Sequence, residues 1–499
     1  MNDGRRRFGA LYMATFLHSS EHAPVTQRIN SSTPEKRRRI EAAALALFTT
    51  QGFHGTNNRE IAKRAGVSTA AIYTHFASKE ALFAALLAER RAGVGSWLRQ
   101  VVGALEEPLS QHQLASFAAA ICARMREDPD YFMLIFIDVV EFNNRHIRAS
   151  FHDVPTWFRL VVGPLLDRVR EQPGWRGQDP AFVLATIYMY FVHYGLIEQH
   201  MGGHRHLGVA EEVAIKGVVE LFSAGLWQMP AAAATSDGSA DAVARRKLLD
   251  EAAEDRIDVV RRLSNRLWAW PPEIPAERSP REVDRSVARI PLISLPEIAR
   301  QRPDDTQLRI EAAALDLFTT QGFHGANIRD IADKAGVSQG TIYTYYASKE
   351  TLFAELAATY RGCQAAFTHH LLMTLDEPFS RDGLRQLAKA TRSLVYDDGQ
   401  YWLLLFIDVL EFGNRHFADM YHDMPERFRR SARPAFEKTR QQPGWCGLDP
   451  AFALAVIYLL FFAYFIVERY MHGNRHLGVP EDEAVERLID LLSGGFFRP

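Results

Sequence analysis

Two stretches of this 499-residue chain carry hydrogen-bonding side chains at matching intervals. In the first stretch, Ser68 is placed to cap a helix, and Tyr73, His75 and Lys79 follow it. Tyrosine, histidine and lysine donate hydrogen bonds to phosphate oxygens, and Lys79 comes at the positively polarised start of the next predicted helix. The chemistry that this spacing predicts is binding of a polyanion, and no catalytic residues are assigned.

A short helix, a glycine-containing turn and a second short helix must position these side chains. The pattern predicts a helix from about Asn57 to Ala65, a turn at 66–68, and a second helix that ends near Phe76. This is the helix-turn-helix arrangement, which lays its second helix in the major groove of DNA. The residues after Ser68 are then free to approach base edges.

The unit that contains this motif occurs twice, with matched positions 270 residues apart. Residues 34–229 align with 304–499 without a gap, and 32 of the 44 positions from Ile40 to Phe83 are identical in the second copy. Solenoid units are short and need several copies to close a core, so this is a duplicated domain pair. Apolar residues recur at helical spacing and no strand alternation is evident, which predicts an all-α fold.

The stretches REIAKRAGVSTAAIYTHFASKEALF and RDIADKAGVSQGTIYTYYASKETLF resemble the DNA-binding motif of the tetracycline-repressor (TetR) family of bacterial transcriptional regulators. The resemblance implies an all-helical protein with a small DNA-binding domain and a larger domain that binds a small molecule and dimerises. It also implies a four-helix interface built from the last two helices of each unit, and release of DNA when the effector binds. We expect a cytoplasmic, nucleoid-associated regulator in which the two copies form a monomeric pseudo-dimer.

Domain boundaries follow from the repeat and the resemblance together. We call the two DNA-binding units the first head and the second head. The expected order is a flexible arm (1–32), the first head (33–85), a first helical regulatory domain (86–230), a linker with an amphipathic helix (231–303), the second head (304–355) and a second helical regulatory domain (356–499).

The resemblance assigns roles to residues of both heads. The implied groove-facing residues are Thr69, Ala70, Ala71, Gln339, Gly340 and Thr341. The implied phosphate contacts are Tyr73, His75, Lys79, Tyr343, Tyr345 and Lys349, with Thr56, Ser68, Thr74, Ser338 and Thr344 completing the DNA-binding set. Two alternatives remain open: the tyrosines Tyr73 and Tyr343 pack the core of the head, or the lysines are ordinary solvated side chains.

The two heads depart from the family pattern differently. The first has Asn58 where a packing aliphatic residue is usual and Ala70 where glycine is usual, whereas the second has Ala326 in place of a capping threonine. Residues 33–92 carry a net charge of +5 and residues 303–362 carry −3. Because phosphate neutralisation dominates affinity, and glutamine pairs with adenine in a way that threonine cannot, we expect unequal half-sites in the DNA operator. The basic run 36–39 is either a DNA-contacting arm or a solvated helical turn.

The regulatory domains repeat a polar and aromatic pattern, FIDVVEFNNRHI and FIDVLEFGNRHF. One hypothesis is an ion pair between Glu141 and Arg145 at i, i+4. The other is a pocket for an unknown small-molecule effector, in which a few polar groups lie among aromatics. The candidate ligand-binding residues are Phe136, Asp138, Glu141, Phe142, Arg145, Tyr188, Phe406, Asp408, Glu411, Phe412, Arg415 and Tyr458.

Composition constrains the remaining possibilities. A net charge of −2 and a pI of about 6.8 mean that any nucleic-acid surface must be local. The three cysteines have unrelated spacings, so neither a disulfide framework nor a zinc site is expected, in keeping with a reducing cytoplasm. The apolar run 451–467 falls just short of a membrane span, and a helix buried between other helices is the favoured interpretation, with no membrane partner.

Three minor hypotheses complete the set. His193, His200, His204 and His206 cluster in the first copy, but three of the four lack counterparts in the second, so we assign no metal and no cofactor. A metal-dependent hydrolase would rest on the pairs at 152–153 and 422–423, and it lacks further ligands. A scaffold whose heads have lost DNA binding is the remaining alternative.

Overall fold

In a computed structural model, the described residues are 33–105, 109–151, 154–201, 206–227, 305–397, 399–418, 420–422, 424–471 and 475–497. The expected arm at 1–32 and the expected linker helix near 241–267 lie outside the described residues. The described part of the chain is built from helices, as predicted. Its only extended pairings are two isolated bridges, Trp175 with Trp227 and Trp445 with Phe497.

The described residues of the first copy form nine α-helices and one short 3-10 turn. The helices are α1 (Thr33–Gly55), α2 (Asn58–Ala65), α3 (Thr69–His75), α4 (Lys79–Gly103), α5 (Gln111–Glu127), α6 (Pro129–Phe142), α7 (Val154–Arg170), α8 (Pro180–His200) and α9 (Glu211–Leu226). The 3-10 turn spans Arg148–Phe151. Helix α1 is interrupted near its end, because Gly52 has a φ of 72° and a ψ of 175°. The chain kinks at Gly52 and then makes one more helical turn to Gly55.

The part of the second copy that the structure describes repeats this order in ten helices. They are α10 (Thr306–Gly325), α11 (Ile328–Ala335), α12 (Gln339–Tyr345), α13 (Lys349–Thr374), α14 (Arg381–Asp397), α15 (Gly399–Phe412), α16 (Met424–Ser431), α17 (Arg433–Gln441), α18 (Pro450–Tyr470) and α19 (Glu481–Phe496). The extra helix arises where α7 of the first copy is only kinked, at Val162. Proline follows closely in both copies, at Pro164 and Pro434, and proline removes an intrahelical hydrogen bond.

Each head is a three-helix unit closed by the start of the next helix. In the first head, Ile40, Phe48, Ile61, Ile72 and Phe83 are fully buried, one or more from each of α1 to α4. Burying such side chains stabilises the unit by about 1.5–3 kcal/mol each relative to full exposure. The matching residues of the second head are buried to the same degree, so the two heads share one core.

The two copies pack against each other through their last two helices. Helix α9 packs on α19, and α8 packs on α18. The backbones of α9 and α19 approach closely, since a Cβ at Gly225 would lie 1.9 Å from the carbonyl oxygen of Leu491. A Cβ at Gly495 would lie 2.4 Å from the carbonyl oxygen of Leu221. The chain thus forms the predicted pseudo-dimer within one polypeptide, with a four-helix interface.

Helices α8 and α18 are both long and apolar enough to cross a membrane. In the most apolar 18-residue window of each, 89% of α8 and 100% of α18 is buried inside the protein. The apolar run that includes 451–467 therefore packs in the interface between copies, where neighbouring helices cover its whole circumference.

Candidate nucleic-acid interface and its joint

The turn between α2 and α3 is built by local capping. Asn57 accepts a hydrogen bond from the N–H of Glu60 and starts α2, and Gly66 ends it with a φ of 63°. The N–H of Val67 then donates to the carbonyl of Ala62, at 3.0 Å, which closes a Schellman-type cap. Arg39 reaches the same turn and donates to the Gly66 carbonyl at 2.9 Å. The turn therefore has a fixed geometry.

The second helix of each motif, α3 or α12, presents its outer face to solvent. Ser68 and Ser338 cap these helices by accepting from the N–H groups of Ala71 and Thr341. The predicted groove-facing residues Thr69, Ala70, Gln339 and Gly340 are exposed, and Ala71 and Thr341 are partly exposed. Thr74 and Thr344 are exposed as well, with hydroxyls that donate to carbonyls one turn back. Two exposed helices with free N-terminal faces are suited to enter a DNA groove.

The tyrosines of these helices point outward. Tyr73 is 56% exposed and Tyr343 is 54% exposed, so neither packs in the core of its head. Tyr345 is also exposed, at 47%, and His75 is partly exposed. The alternative in which the tyrosines serve the core is therefore wrong, and their role as phosphate contacts stays a prediction.

Two assignments need correction, because the side chains are used inside the protein. Thr56 is 1% exposed and its hydroxyl donates to the Gly52 carbonyl, so it cannot touch DNA. Lys79 donates to the carbonyls of Phe53 and Thr56, both at 2.6 Å, and its ammonium lies 4.1 Å from the centre of the Phe53 ring. Lys349 repeats this arrangement in the second head.

These lysines are neither simply solvated nor fully available. Burial lowers the pKa of Lys79, and the charge of Glu141 opposes that effect. Two of the three ammonium hydrogens already serve backbone carbonyls, which leaves one for a phosphate. A phosphate contact from Lys79 or Lys349 stays a prediction for that single hydrogen.

The basic run at the start of α1 divides between the two hypotheses. Arg37 pairs with Glu41 at 2.9 Å and lies over the Phe76 ring, and Arg39 holds the turn at Gly66. Lys36 and Arg38 are exposed. Only part of this run is therefore placed to meet phosphate.

The charge difference between heads has specific structural origins. In the second head Lys334 pairs with Asp316 at 2.9 Å, and Arg329 lies 3.9 Å from Asp333. The first head has Ala46 and Lys63 at the positions of Asp316 and Asp333. Acidic partners thus neutralise the cations of α11, whereas α2 has additional positive charge.

A buried carboxylate joins the first head to its regulatory domain. Glu141, near the end of α6, accepts from the N–H groups of Phe53 at 2.8 Å and His54 at 2.5 Å. Its side chain is 2% exposed. The kink at Gly52 interrupts the helix and leaves these N–H groups free to donate to Glu141. A Cβ at Gly52 would lie 2.6 Å from the Glu141 carboxylate. Burial raises the pKa of Glu141 to about 7, against the opposing effect of the two backbone hydrogen bonds.

We call the contact of Glu141 with the N–H groups of Phe53 and His54 the joint of the first copy. The second copy has the same joint, and the two joints lie next to each other. Glu411 accepts from the N–H groups of Phe323 and His324, both at 2.7 Å. A Cβ at Gly55 would lie 3.0 Å from Cβ of His324, so the ends of α1 and α10 touch across the pseudo-twofold axis. Movement of α6 or α15 would therefore act on both heads at once.

The contacts at and near the joint give most of the predicted ligand-binding residues a structural role in place of ligand binding. Glu141 does not pair with Arg145, which lies 2.8 Å from Glu80 instead. Asp138 is fully buried and accepts from the N–H groups of His146 and Ile147, so it caps the end of α6. The corresponding residues of the second copy, Asp408 and Glu411, make the same types of contact.

The predicted aromatic ligand contacts also serve packing. Phe142 stacks on Phe83 with ring centres 4.9 Å apart, and Phe412 stacks in the same way in the second head. Phe136 and Phe406 stack on each other, 4.8 Å apart, between the two copies. Arg415 lies over the Phe412 ring.

Tyr188 borders a cavity, a void of about 10 Å³ with Trp97, Arg124, Phe132 and Val192 on its walls. This volume holds no more than a single water molecule. At the matching place in the second copy, Trp402 and Phe462 pack with ring centres 4.5 Å apart, and Tyr458 is buried. The two regulatory domains therefore differ where their matching tyrosines lie.

Two described histidines of the first-copy cluster make separate contacts. His193 is buried beside the Met189 carbonyl, and burial lowers its pKa to about 4, whereas His206 contacts Glu198. His204 and the 152–153 pair lie outside the described residues, as does residue 423. Across the described ranges, no group of three or more His, Cys, Asp or Glu side chains is arranged to hold a metal ion.

Comparison with known proteins gives two matches to one family model, bacterial regulatory proteins of the tetR family, at residues 40–86 and 310–356. The chain is 25% identical over 195 residues to the uncharacterized HTH-type transcriptional regulator YvkB of Bacillus subtilis, which covers 38% of this chain and 96% of that protein. It is 42% identical over 62 residues to the HTH-type transcriptional regulator RutR of Escherichia coli, covering 12% and 29%. It is 31% identical over 102 residues to the HTH-type transcriptional activator FasR of Mycolicibacterium smegmatis, covering 20% and 46%.

The matched residues coincide with the two heads, and the longest of these alignments has the length of one copy. Glu141 was predicted as a ligand-binding residue and Arg39 as part of the basic run, but the contacts that they and Asn58 make were not foreseen, because their partners lie far away in sequence or in the neighbouring helix. Glycine followed by phenylalanine occurs at 52–53 and again at 322–323. A glycine that can adopt a positive φ was the one local sequence signal of the joint. Each copy of the chain therefore carries one segment that matches the DNA-binding family model of tetR-type bacterial regulatory proteins.

Proposed function

We propose that this chain is a DNA-binding transcriptional repressor whose two heads, on one polypeptide, bind the two halves of an operator. The observation that carries the proposal is the pair of exposed helices α3 and α12, each in a fixed helix-turn-helix and each in a segment that matches the family model. The relatives with described roles are regulators, and one of them is named an activator. The sign of regulation is therefore part of the proposal.

The operator has unequal half-sites in this proposal. The first head carries a net charge of +5 and offers Thr69 to the groove, whereas the second carries −3 and offers Gln339. Glutamine pairs with adenine through two hydrogen bonds, and threonine makes one bond or touches a methyl group. The first head supplies most of the electrostatic affinity and the second supplies sequence preference.

The functional unit is a monomer of 56.5 kDa. The surfaces of α8, α9, α18 and α19 that would dimerise two separate chains are already covered within this chain. Tethering makes the pairing intramolecular, with an effective concentration on the order of millimolar. Light scattering of the full chain tests this part, and an obligate dimer would contradict it.

The effector site, in this proposal, lies in the first copy only. The void beside Tyr188 is walled by Trp97, Phe132 and Val192, and the Nε of Arg124 is buried there without a hydrogen-bond partner among the described residues. Asp128 also lines the void and accepts from Arg124 at 3.0 Å, so an aromatic molecule with a carboxylate would match these groups by taking the place of Asp128 after the void opens. The packing of Trp402 against Phe462 at the matching place in the second copy supports a division of labour, with one sensing domain and two heads.

The joint carries the signal from this site to DNA. The void lies against α6, which contributes Phe132, and α6 also carries Glu141. An effector that shifts α6 changes the contact of Glu141 with Phe53 and His54. Because the ends of α1 and α10 touch, the change reaches both heads, and release of DNA follows.

Selection of duplexes from a random library, repeated with each head disabled, tests the proposal. Ala70→Glu and Gly340→Glu are matched variants at exposed second positions of α3 and α12. Glutamate there suits the helix dipole but repels DNA, and a Cβ at Gly340 meets nothing closer than 3.6 Å. We expect the wild type to select two different half-sites and each variant to lose one of them. Failure of the wild type to enrich any sequence would refute the proposal.

A further inference from the structure

The two heads hold their outward tyrosines differently, and the difference originates at the first residue of α2. In the first head the side-chain amide of Asn58 donates to the hydroxyl oxygen of Tyr73, at 2.9 Å. The second head has Ile328 at the same position, which packs against the core and has no hydrogen-bonding group to offer Tyr343. Both tyrosines are exposed to nearly the same extent, so exposure does not explain the difference.

Asn58 is a poor residue for packing at this position. Its amide oxygen is buried and has no hydrogen-bond partner among the described residues. A buried unpaired acceptor destabilises a protein, and an aliphatic side chain at the same place would not carry that cost. The first head thus gives up stability at Asn58, where the second head has Ile328.

The hydrogen bond has a direct effect on what Tyr73 can do. A tyrosine hydroxyl has one hydrogen to donate and lone pairs to accept. When the Asn58 amide donates to the oxygen, the hydroxyl hydrogen stays available for an outside acceptor, and the bond strengthens it as a donor. The bond also holds the ring in one orientation before any ligand arrives.

We propose that Asn58 is a positioning residue for DNA binding, which pre-orders the Tyr73 hydroxyl to donate to a phosphate oxygen of the backbone. The inference rests on the proposed function, since it assumes that the first head binds DNA. In this proposal the two heads differ in an uncharged contact, the hydrogen bond from Asn58 to Tyr73, as well as in net charge. The second head binds phosphate through a tyrosine that must be ordered on contact.

The size of the effect follows from the ordering cost. Immobilising one side chain on binding weakens affinity by about twofold to tenfold. We expect Asn58→Ile to weaken binding of the full chain to its selected operator duplex by about threefold to tenfold. The same variant should raise the thermal midpoint of unfolding, because it removes the buried unpaired oxygen and restores aliphatic packing.

A double-mutant cycle in the full chain tests the proposal, with fluorescence anisotropy on the operator duplex recovered by selection. The variants are Asn58→Ile, Tyr73→Phe and their combination. If Asn58 acts through the Tyr73 hydroxyl, the combination should bind no more weakly than Tyr73→Phe alone. Tyr343→Phe in the second head is the matched control, and its effect should add to that of Asn58→Ile.

The dependence of binding on salt separates positioning from distortion of the head. Tyr73 is uncharged, so Asn58→Ile should leave the slope of log affinity against log salt unchanged, whereas loss of one cation contact changes it by about 0.9. Wild-type affinity in Asn58→Ile, additive losses in the cycle, or a changed slope would overturn the inference. A wild-type chain that binds no duplex would instead overturn the proposed function, and the inference with it.

Discussion

Giving the second head the residues of the first at two positions is expected to steepen the salt dependence of DNA binding. The change is Asp316→Ala with Asp333→Lys, which copies Ala46 and Lys63 of the first head. It removes the carboxylate 2.9 Å from Lys334 and the one 3.9 Å from Arg329. These are surface pairs, with side chains 39–76% exposed, so the fold should lose less than about 1 kcal/mol.

The magnitude follows from counterion release. Each phosphate contact by a cation contributes about 0.9 to the slope of log affinity against log salt. Asp316→Ala frees Lys334, and Asp333→Lys adds a cation beside Arg329 on α11, the helix that crosses the DNA backbone. Two new contacts would steepen the slope by about 2, so the preference for 50 mM over 200 mM salt should grow by about tenfold.

Fluorescence anisotropy titrations at four salt concentrations measure this slope. The reverse exchange, Ala46→Asp with Lys63→Asp in the first head, is the matched control and should make the slope shallower by about the same amount. An unchanged slope in the second-head variant, with a normal unfolding midpoint, would refute the claim that Asp316 and Asp333 weaken the binding of the second head to phosphate.

Three further predictions concern the joint, the interface and the cavity. Glu141 holds a proton in the folded state up to about pH 7 but loses it near 4.5 when unfolded, so the free energy of unfolding should fall by about 3 kcal/mol between pH 4.5 and 7 through this group. Thermal midpoints at pH 5 and pH 8 should therefore differ less in Glu141→Gln than in the wild type, and equal pH dependence would contradict the assignment. Gly225→Ala places a Cβ 1.9 Å from a backbone carbonyl and should cost about 1–3 kcal/mol or more, whereas Gly93→Ala, with open space around it, should stabilise the protein in the same denaturation assay. Val192→Phe copies Phe462 of the second copy and should abolish any thermal shift from a panel of aromatic carboxylates while operator affinity without ligand stays at the wild-type value; a retained shift would place the effector elsewhere.

Local features of the chain were predictable because their causes lie within a few residues. Ser68 caps α3 through an N–H three residues on, and Gly66 ends α2 through its own φ. The helix-turn-helix and its exposed face could therefore be placed from sequence. The all-α fold and the pseudo-dimer followed from the repeat and the resemblance, and both agree with the structure.

The partners of charged residues were not predictable in the same way. Arg145 is four residues from Glu141 and was the natural partner, yet Glu141 accepts from Phe53 and His54, 88 and 87 residues away. The kink at Gly52 leaves those two N–H groups without a carbonyl partner in their own helix, and the carboxylate of Glu141 supplies the acceptor. Sequence spacing favours Arg145 as the partner of Glu141. In the folded chain Glu141 instead pairs with the two N–H groups that would otherwise lack an acceptor.

The sequence by itself determined that one chain carries two DNA-binding units, where their helices begin and end, and that their charges differ. Those properties depend on composition, periodicity and caps, which act over one or two helical turns. Only the tertiary structure decided that Thr56 and Lys79 serve the head internally, that Glu141 joins it to α6, and that Asn58 holds Tyr73. These contacts join segments that are brought together by packing of the whole unit, so no local pattern specifies them.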